Sequence, residues 1–247
     1  MINLQWLDWP APPNVRAAFS LRRGGHSESP FNDFNLAQHV GDRASVVIAN
    51  RQQLSNLIGD LPIAWLNQVH GKRVVVADPA TLAEADASFT KDSERVCCVM
   101  TADCLPVFFC DNYGHQVAIA HAGWRGLASG VLQVTLAEFP TPENVKVYFG
   151  PAISVRALEV GEEVRQSFLT IPGVEQSVIE KNFHPAELPG KWMADLYSLA
   201  RYLLQLCGVT QFYGGDRCTY SESDDFFSYR RDGKTGRMAN LIWIERS

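Results

Sequence analysis

Three residues in this chain have the types and surroundings of a metal shell: His70, Cys104 and His121. Each falls at a break in an apolar run. Gln68-Val69-His70-Gly71 ends one run, and Thr101-Ala102-Asp103-Cys104-Leu105-Pro106 separates two others. His121-Ala122-Gly123-Trp124-Arg125-Gly126 leads from an apolar run into a segment of helical period. One thiolate and two imidazoles suit zinc, and three protein ligands leave a fourth position open for water or substrate. An ion held there would acidify a bound water or polarise a substrate oxygen. No dense CxxC or HExxH spacing marks the trio, so it also reads as a small buried thiol and two satisfied histidines. A further reading needs no metal: Cys104 as nucleophile and His121 as its base. Cys110 and Cys218 are outside candidates, whereas Cys97, Cys98 and Cys207 sit in core-like patterns.

These residues need a scaffold that brings strand ends to one edge. Residues 14–20 read as a strand, and 26–43, rich in Ser, Pro, Asn, Asp and Gly, as a long ordered loop of the kind that often carries function. Ser45 to Ile58 has helical spacing. Apolar, β-rich runs follow at 64–69, 73–77, 87–89, 96–100, 105–110 and 116–120, most of them bounded by Gly, Asp, Asn or Pro. Arg125 to Phe139 reads as one helix, Val145 to Phe149 as a strand, Gly161 to Leu169 and Asp195 to Cys207 as helices, and 211–213 and 238–244 as closing strands. Clustered strands with helices between some clusters predict an α+β fold with mixed sheets rather than a regular βαβ wind. No repeat or linker interrupts the chain, so residues 1–247 read as one domain.

Of the 247 residues 46% are hydrophobic and 20% charged, an ordinary globular balance. The net charge is -5 with the two signs interspersed, which gives no phosphate-neutralising face for nucleic acid. Four of the six cysteines crowd between 97 and 110, which suits reduced thiols better than a disulfide framework. Met1 to Pro10 lacks the pattern of a signal peptide, and every apolar run is far short of a membrane span. The expectation is a cytoplasmic protein with no nucleic-acid or membrane partner.

The chain resembles, over nearly its whole length, the bacterial family of multicopper polyphenol oxidase or laccase-domain proteins, also known as purine nucleoside phosphorylase and as peptidoglycan editing factor. The motifs that carry this run in one order: Arg22-Arg23-Gly24-Gly25, Asn35-Leu36-Ala37-Gln38-His39-Val40-Gly41-Asp42, the His70 segment, Ala85-Asp86-Ala87 and the Cys104 segment. The His121 segment, Gly150-Pro151-Ala152-Ile153, Gly214 to Tyr220 and Phe227 to Arg231 complete the series. Leu21 stands where the family usually has Thr, and His26 where it commonly has a small apolar residue.

The resemblance implies a four-layer α/β/β/α fold with metal ligands at His70, Cys104 and His121, holding zinc or a single copper ion. It implies phosphorolysis of adenosine, inosine and S-methyl-5'-thioadenosine together with adenosine deamination, in a monomer whose partners are nucleoside and phosphate. Phosphate would suit the planar fork of Arg22 or Arg23, or Arg125 at a helix start beside a ligand. His39 could protonate the leaving group or hold a ribose hydroxyl, or with Asn35 merely stitch the loop. Asp103 could act as a base or orient a ligand, while Asp86 reads as structural. Phe227, Tyr229 and Arg230 could wall in a purine, though an ordinary core explains the aromatics nearly as well. The peptidoglycan name implies instead an amide hydrolase acting on a nucleotide-linked precursor through Cys104 and His121 or through the metal. Multicopper oxidation is unsupported, since six histidines without an H-x-H pair cannot ligate several coppers. The H-x-E and P-C-x-x-C signature of zinc cytidine deaminases is also absent.

Overall fold

The computed structural model describes residues 4–246. Met1 to Asn3, which begin the stretch read for a targeting signal, and Ser247 lie outside the described residues. In chain order the elements are β1 (Leu4–Trp6), β2 (Val15–Ser20), α1 (Ala44–Leu57), β3 (Ile63–Ala64), β4 (Leu66–Asn67), β5 (Val74–Val76), β6 (Ala83–Glu84), β7 (Ala87–Thr90), β8 (Val96–Thr101), β9 (Leu105–Asp111), β10 (Val117–Ala122), α2 (Trp124–Ser129) and α3 (Val131–Leu136). They continue as β11 (Val145–Phe149), β12 (Glu159–Gly161), α4 (Glu162–Leu169), α5 (Gln176–Glu180), β13 (Phe183–Pro185), β14 (Lys191–Ala194), α6 (Leu196–Gln205), β15 (Gln211–Gly214), α7 (Tyr229–Asp232) and β16 (Met238–Ile244).

A five-stranded sheet runs β1-β2-β16-β8-β3 and a six-stranded sheet β15-β11-β9-β10-β7-β5. Both are mainly antiparallel, with parallel pairs at β3–β8, β11–β15 and β5–β7. Period-two alternation sorts their residues between separate cores. Cys97 and Val99 on β8, Phe108 and Cys110 on β9, Val117 and Ile119 on β10, and Ile242 and Ile244 on β16 fill the space between the sheets. Cys98, Leu241 and Trp243, from the other face of the five-stranded sheet, pack with Leu54 and Ile58 at the α1 side. Val107, Phe109, Ala118, Ala120 and Val147 face Leu127, Leu132, Leu199 and Leu203 of the helices on the far side. The layers are therefore helix, sheet, sheet, helices, and the α+β, four-layer expectation is borne out. Strands buried on both faces read as continuous apolar runs because neither set of side chains meets water.

Local departures have local causes. The run read as one strand from Ala64 divides at Trp65 into β3 and β4, which join different sheets. Trp65 lies under the Arg51 guanidinium, 3.7 Å from its ring centre. The helix read from Arg125 to Phe139 is two helices, because Gly130 adopts φ +93° and ends α2 after six residues. Asp195 lies outside α6 as its N-cap, accepting the Ser198 amide at 3.0 Å. The sheet β12-β14-β13 and the short α5 and α7 lacked a periodic signal, being too brief to establish one. Among the described residues, no helix is long and apolar enough to cross a membrane.

Candidate metal centre

The three ligand candidates meet where the two sheets are joined. Cys104 lies in the crossing from β8 of one sheet to β9 of the other. His121 is near the end of β10, opposite Pro106 of β9. His70 follows β4 on a turn at φ +60°, a region that His enters more readily than most residues. The ligand atoms of His70, Cys104 and His121 all lie within 4.8 Å of one another. The two imidazole rings meet edge to face at 4.8 Å, and Sγ of Cys104 is 3.9 Å from Nε2 of His70.

Asp86, fully buried, organises this arrangement. Its carboxylate accepts the main-chain amides of Val69 at 3.2 Å, His70 at 2.9 Å and Gly71 at 2.7 Å. It also accepts Nδ1–H of His121 at 2.8 Å, while its carbonyl takes the His121 amide at 2.7 Å. Nδ1 is thereby committed as donor, which leaves Nε2 of His121 free as a ligand. Burial works against ionisation of Asp86, but the His121 ring and the amides outweigh it and hold the carboxylate below its ordinary range.

Burial alone would raise the Cys104 thiol. The adjacent His121 and His70 rings overcome it and bring the thiol down to about 6. His121 moves the opposite way: burial lowers it, but the Cys104 thiolate and Asp86 raise it further. Both shifts favour a thiolate beside an imidazolium. The donor set fits a zinc-like ion, with a thiolate, a ring nitrogen of fixed tautomer and a second exposed imidazole. Gly123 keeps the space clear, since a Cβ there would lie 2.9 Å from Sγ of Cys104 and 3.1 Å from Cδ2 of His70.

Two cavities abut at the trio and share His70, Ala102, Cys104 and Tyr229. One, of about 400 Å³, also has His39, Gln68, Met100, His121 and Arg237 in its wall. The other, of about 260 Å³, is walled by Trp124, Ile153, Leu158 and Leu196, with Asp103, Arg125 and Arg230 as its charged residues. Burial, then the nearby charges of Arg237 and Arg51, hold His39 below its ordinary pKa. Asp103, at φ +90°, accepts Thr219 Oγ1 and the Arg230 amide, each at 2.6 Å. Both its carboxylate oxygens are thus engaged, and Oδ2 fixes α7, the element that presents Tyr229 and Arg230.

Of the residues read as substrate contacts, Arg125, Tyr229 and Arg230 reach the cavities, and Arg22 and Asn35 do not line them. The Arg22 guanidinium donates to the carbonyls of Asn32 and Ser223, and Arg23 pairs with Asp224. Asn35 is buried and spends its amide on Ala37, Asp42 and Arg237. These bonds stitch the loop to its neighbours. Arg125 lies 4.3 Å over the Trp124 ring, at the start of a helix too short to lend a strong dipole. Cys110 is sealed between the sheets and pushed up to about 12 by burial. Cys218 lines a separate cavity of about 510 Å³, away from the trio. Sequence reasoning missed Arg237 and Gln68 and underrated Asp86. A buried acid between two alanines beside a histidine segment was the signal available for Asp86.

Fold and site define an α+β protein with a candidate open His-Cys-His metal centre between its sheets. Comparison with known proteins narrows this. Residues 16–245 match the model of a family described as multi-copper polyphenol oxidoreductase laccase, and the chain belongs to that family. A Pseudomonas aeruginosa protein named purine nucleoside phosphorylase is 47% identical over 97% of this chain and 98% of its own. Escherichia coli YfiH, named likewise, is 47% identical over 96% of each chain. The crystal structure of a Neisseria meningitidis protein superposes with a TM-score of 0.94 at 47% identity, covering 99% of this chain and 100% of that one. YlmD from Geobacillus stearothermophilus gives a TM-score of 0.87 at 29% identity over 98% and 97% of the two chains. Both of these curated relatives carry the phosphorylase name.

Proposed function

We propose that this protein is a zinc-dependent purine nucleoside phosphorylase of the cytoplasm, taking adenosine, inosine and S-methyl-5'-thioadenosine, with adenosine deamination at the same site. One observation carries the reading: the trio opens where a cavity walled by Trp124, Leu158, Leu196 and Tyr229 meets a second one that holds His39 and Arg237. The names of the relatives support the phosphorylase half. A purine is planar and apolar on its faces, and the wall of Trp124, Leu158, Leu196 and Tyr229 suits it. When bound, the ion at His70, Cys104 and His121 supplies Lewis acidity toward a substrate oxygen or a water.

The remaining work falls to the chain itself. Asp86 holds both histidines in their ligand orientation. Asp103 fixes α7, so that Tyr229 and Arg230 border the purine cavity. His39, held below its ordinary pKa, is neutral near pH 7 and offers a ring nitrogen to a ribose hydroxyl from the Arg237 side. Phosphorolysis joins a phosphate oxygen to C1′ as the bond from C1′ to the purine breaks. The electron pair leaves with the base, and the proton of hydrogen phosphate ends on it.

The test supplies inosine and phosphate, with metal content measured on the same sample. Hypoxanthine and ribose 1-phosphate appearing only with both metal and phosphate is the expected result. Metal present without phosphorolysis would overturn the reading.

A second reading keeps a specific observation. Cys104, His121 and Asp86 stand in the order nucleophile, base and orienting carboxylate, and the thiol is already depressed. That array suits amide hydrolysis of a nucleotide-linked peptidoglycan precursor. Activity on such a precursor that survives chelation would favour it. Several coppers find no shelter, because His70, Cys104 and His121 form the one ligand cluster of this kind among the described residues.

A further inference from the structure

We infer that Arg237 forms the oxyanion subsite of the centre and that inorganic phosphate is its ligand, an assignment that rests on the phosphorylase reading for the identity of that ligand. Arg237 immediately precedes β16 and lines the larger of the two cavities with His39 and the metal trio. Its Nη1 donates to the carbonyls of Thr235 and Gly236, both at 2.9 Å, which fixes the plane of the guanidinium. Among the described residues, its Nε and Nη2 find no acceptor and no carboxylate pairs with it. That edge is the fork which holds two oxygens of one oxyanion. A half-buried cation whose fork is unspent, and which rests on the Tyr229 ring 5.8 Å away, has the chemistry of a site awaiting an anion, since burying a charge without an ionic partner is costly.

The alternatives are less well placed. Arg22 and Arg23 lie outside the walls of both cavities. Arg125 and Arg230 line the other cavity, on the side of Trp124, Leu158 and Leu196 where the purine fits. The two cavities abut at His70, Cys104 and Tyr229, so a ribose seated at that junction would have phosphate on the Arg237 side and its base on the Trp124 side. Displacement at C1′ requires nucleophile and leaving group on different sides of the ring. The phosphate oxygen would bond to C1′ while the purine departs with the electron pair and takes up the proton of hydrogen phosphate.

The test uses metal-loaded protein and two variants, Arg237→Gln and Arg237→Lys. Phosphate is titrated by calorimetry without nucleoside, and KM for phosphate and for inosine is measured in parallel. Losing a charge-assisted fork is expected to raise the phosphate Kd and KM about 10- to 100-fold in Arg237→Gln. The inosine KM should stay within about threefold, as for contacts not shared between ligands. Arg237→Lys keeps the charge and a donor for the two carbonyls but loses the fork, and should fall between. If Arg237→Gln fails to hold metal, Arg237→Lys decides the matter with the same readouts. An unchanged phosphate KM beside normal inosine turnover would overturn the subsite and leave the phosphorylase standing. Phosphate binding that depends on Arg237 in a protein unable to turn over inosine would keep the subsite and sink the phosphorylase. A nucleoside diphosphate that displaces phosphate and binds far more tightly would overturn free phosphate as the ligand in favour of an esterified one.

Discussion

The carboxylate of Asp86 governs both histidines of the trio at once: its Oδ1 lies 2.8 Å from Nδ1 of His121 and accepts the amide of His70 at 2.9 Å. One acid thus fixes the ring of one ligand and the main chain of the other. Replacing it with Asn keeps the shape but puts an NH2 among N–H donors. Asp86→Asn should lower metal affinity about 10- to 100-fold, as for outer partners of ligating histidines. It should also cost roughly 2–3 kcal/mol of stability through unsatisfied buried donors. Competition with a chromophoric chelator and urea denaturation measure the two effects. Unaltered metal affinity would remove Asp86 from the site.

The ligand assignment is tested directly. His70→Ala, Cys104→Ala and His121→Ala should each lose the metal and the activity while keeping native circular dichroism, since these positions border open cavities. Elemental analysis of the purified variants reads the outcome, and full occupancy in all three would refute the trio.

Cys104 should titrate apart from the buried thiols Cys97 and Cys110. In metal-free protein its alkylation by iodoacetamide should rise as pH passes about 6, because the folded protein holds the thiol below its ordinary value. Burial raises Cys97 and Cys110 to about 12, so these remain unreactive over the same range. The sign follows from the neighbours: thiolate next to imidazolium is favoured, so His121→Ala should move the midpoint upward. A midpoint in the wild type near that of an ordinary thiol would contradict the pairing.

Gly123 offers a steric test. Its backbone, at φ −63° and ψ 159°, is open to any residue, so Gly123→Ala adds a methyl group without backbone strain. That methyl would press on Sγ of Cys104 and the ring of His70. Weakened metal binding with about 1–3 kcal/mol of destabilisation is expected, the usual cost of overpacking. Equal metal affinity in the variant would mean that the trio has room to spare.

The strands and the trio were legible for the same reason. Residues 96–101, 105–111, 117–122 and 238–244 are buried on both faces, so they stand out as apolar runs, and a His or Cys at their ends is conspicuous. Asp86 was harder to read because three of its partners are main-chain amides, which have no residue type to notice. Arg237 gave no motif at all, and its importance comes from bonds that it does not make. For Arg22 and Asn35 the residue types suit substrate, but the fold places them outside the two cavities, bonded to carbonyls and side chains that only the folded loop brings near. Gly130 inside a helical run was a visible break, yet only its φ of +93° turns permission into a stop.

The strands that flank Cys104 and the strand that carries His121 each send alternate side chains into two different cores. A slip of one residue along such a strand would exchange both interiors at once, so an error of pairing has no tolerable half-measure. The ligands therefore inherit their placement from a register policed on two sides. Metal uptake becomes a check on folding fidelity: a chain that binds its ion has aligned the sheets on which both cores depend.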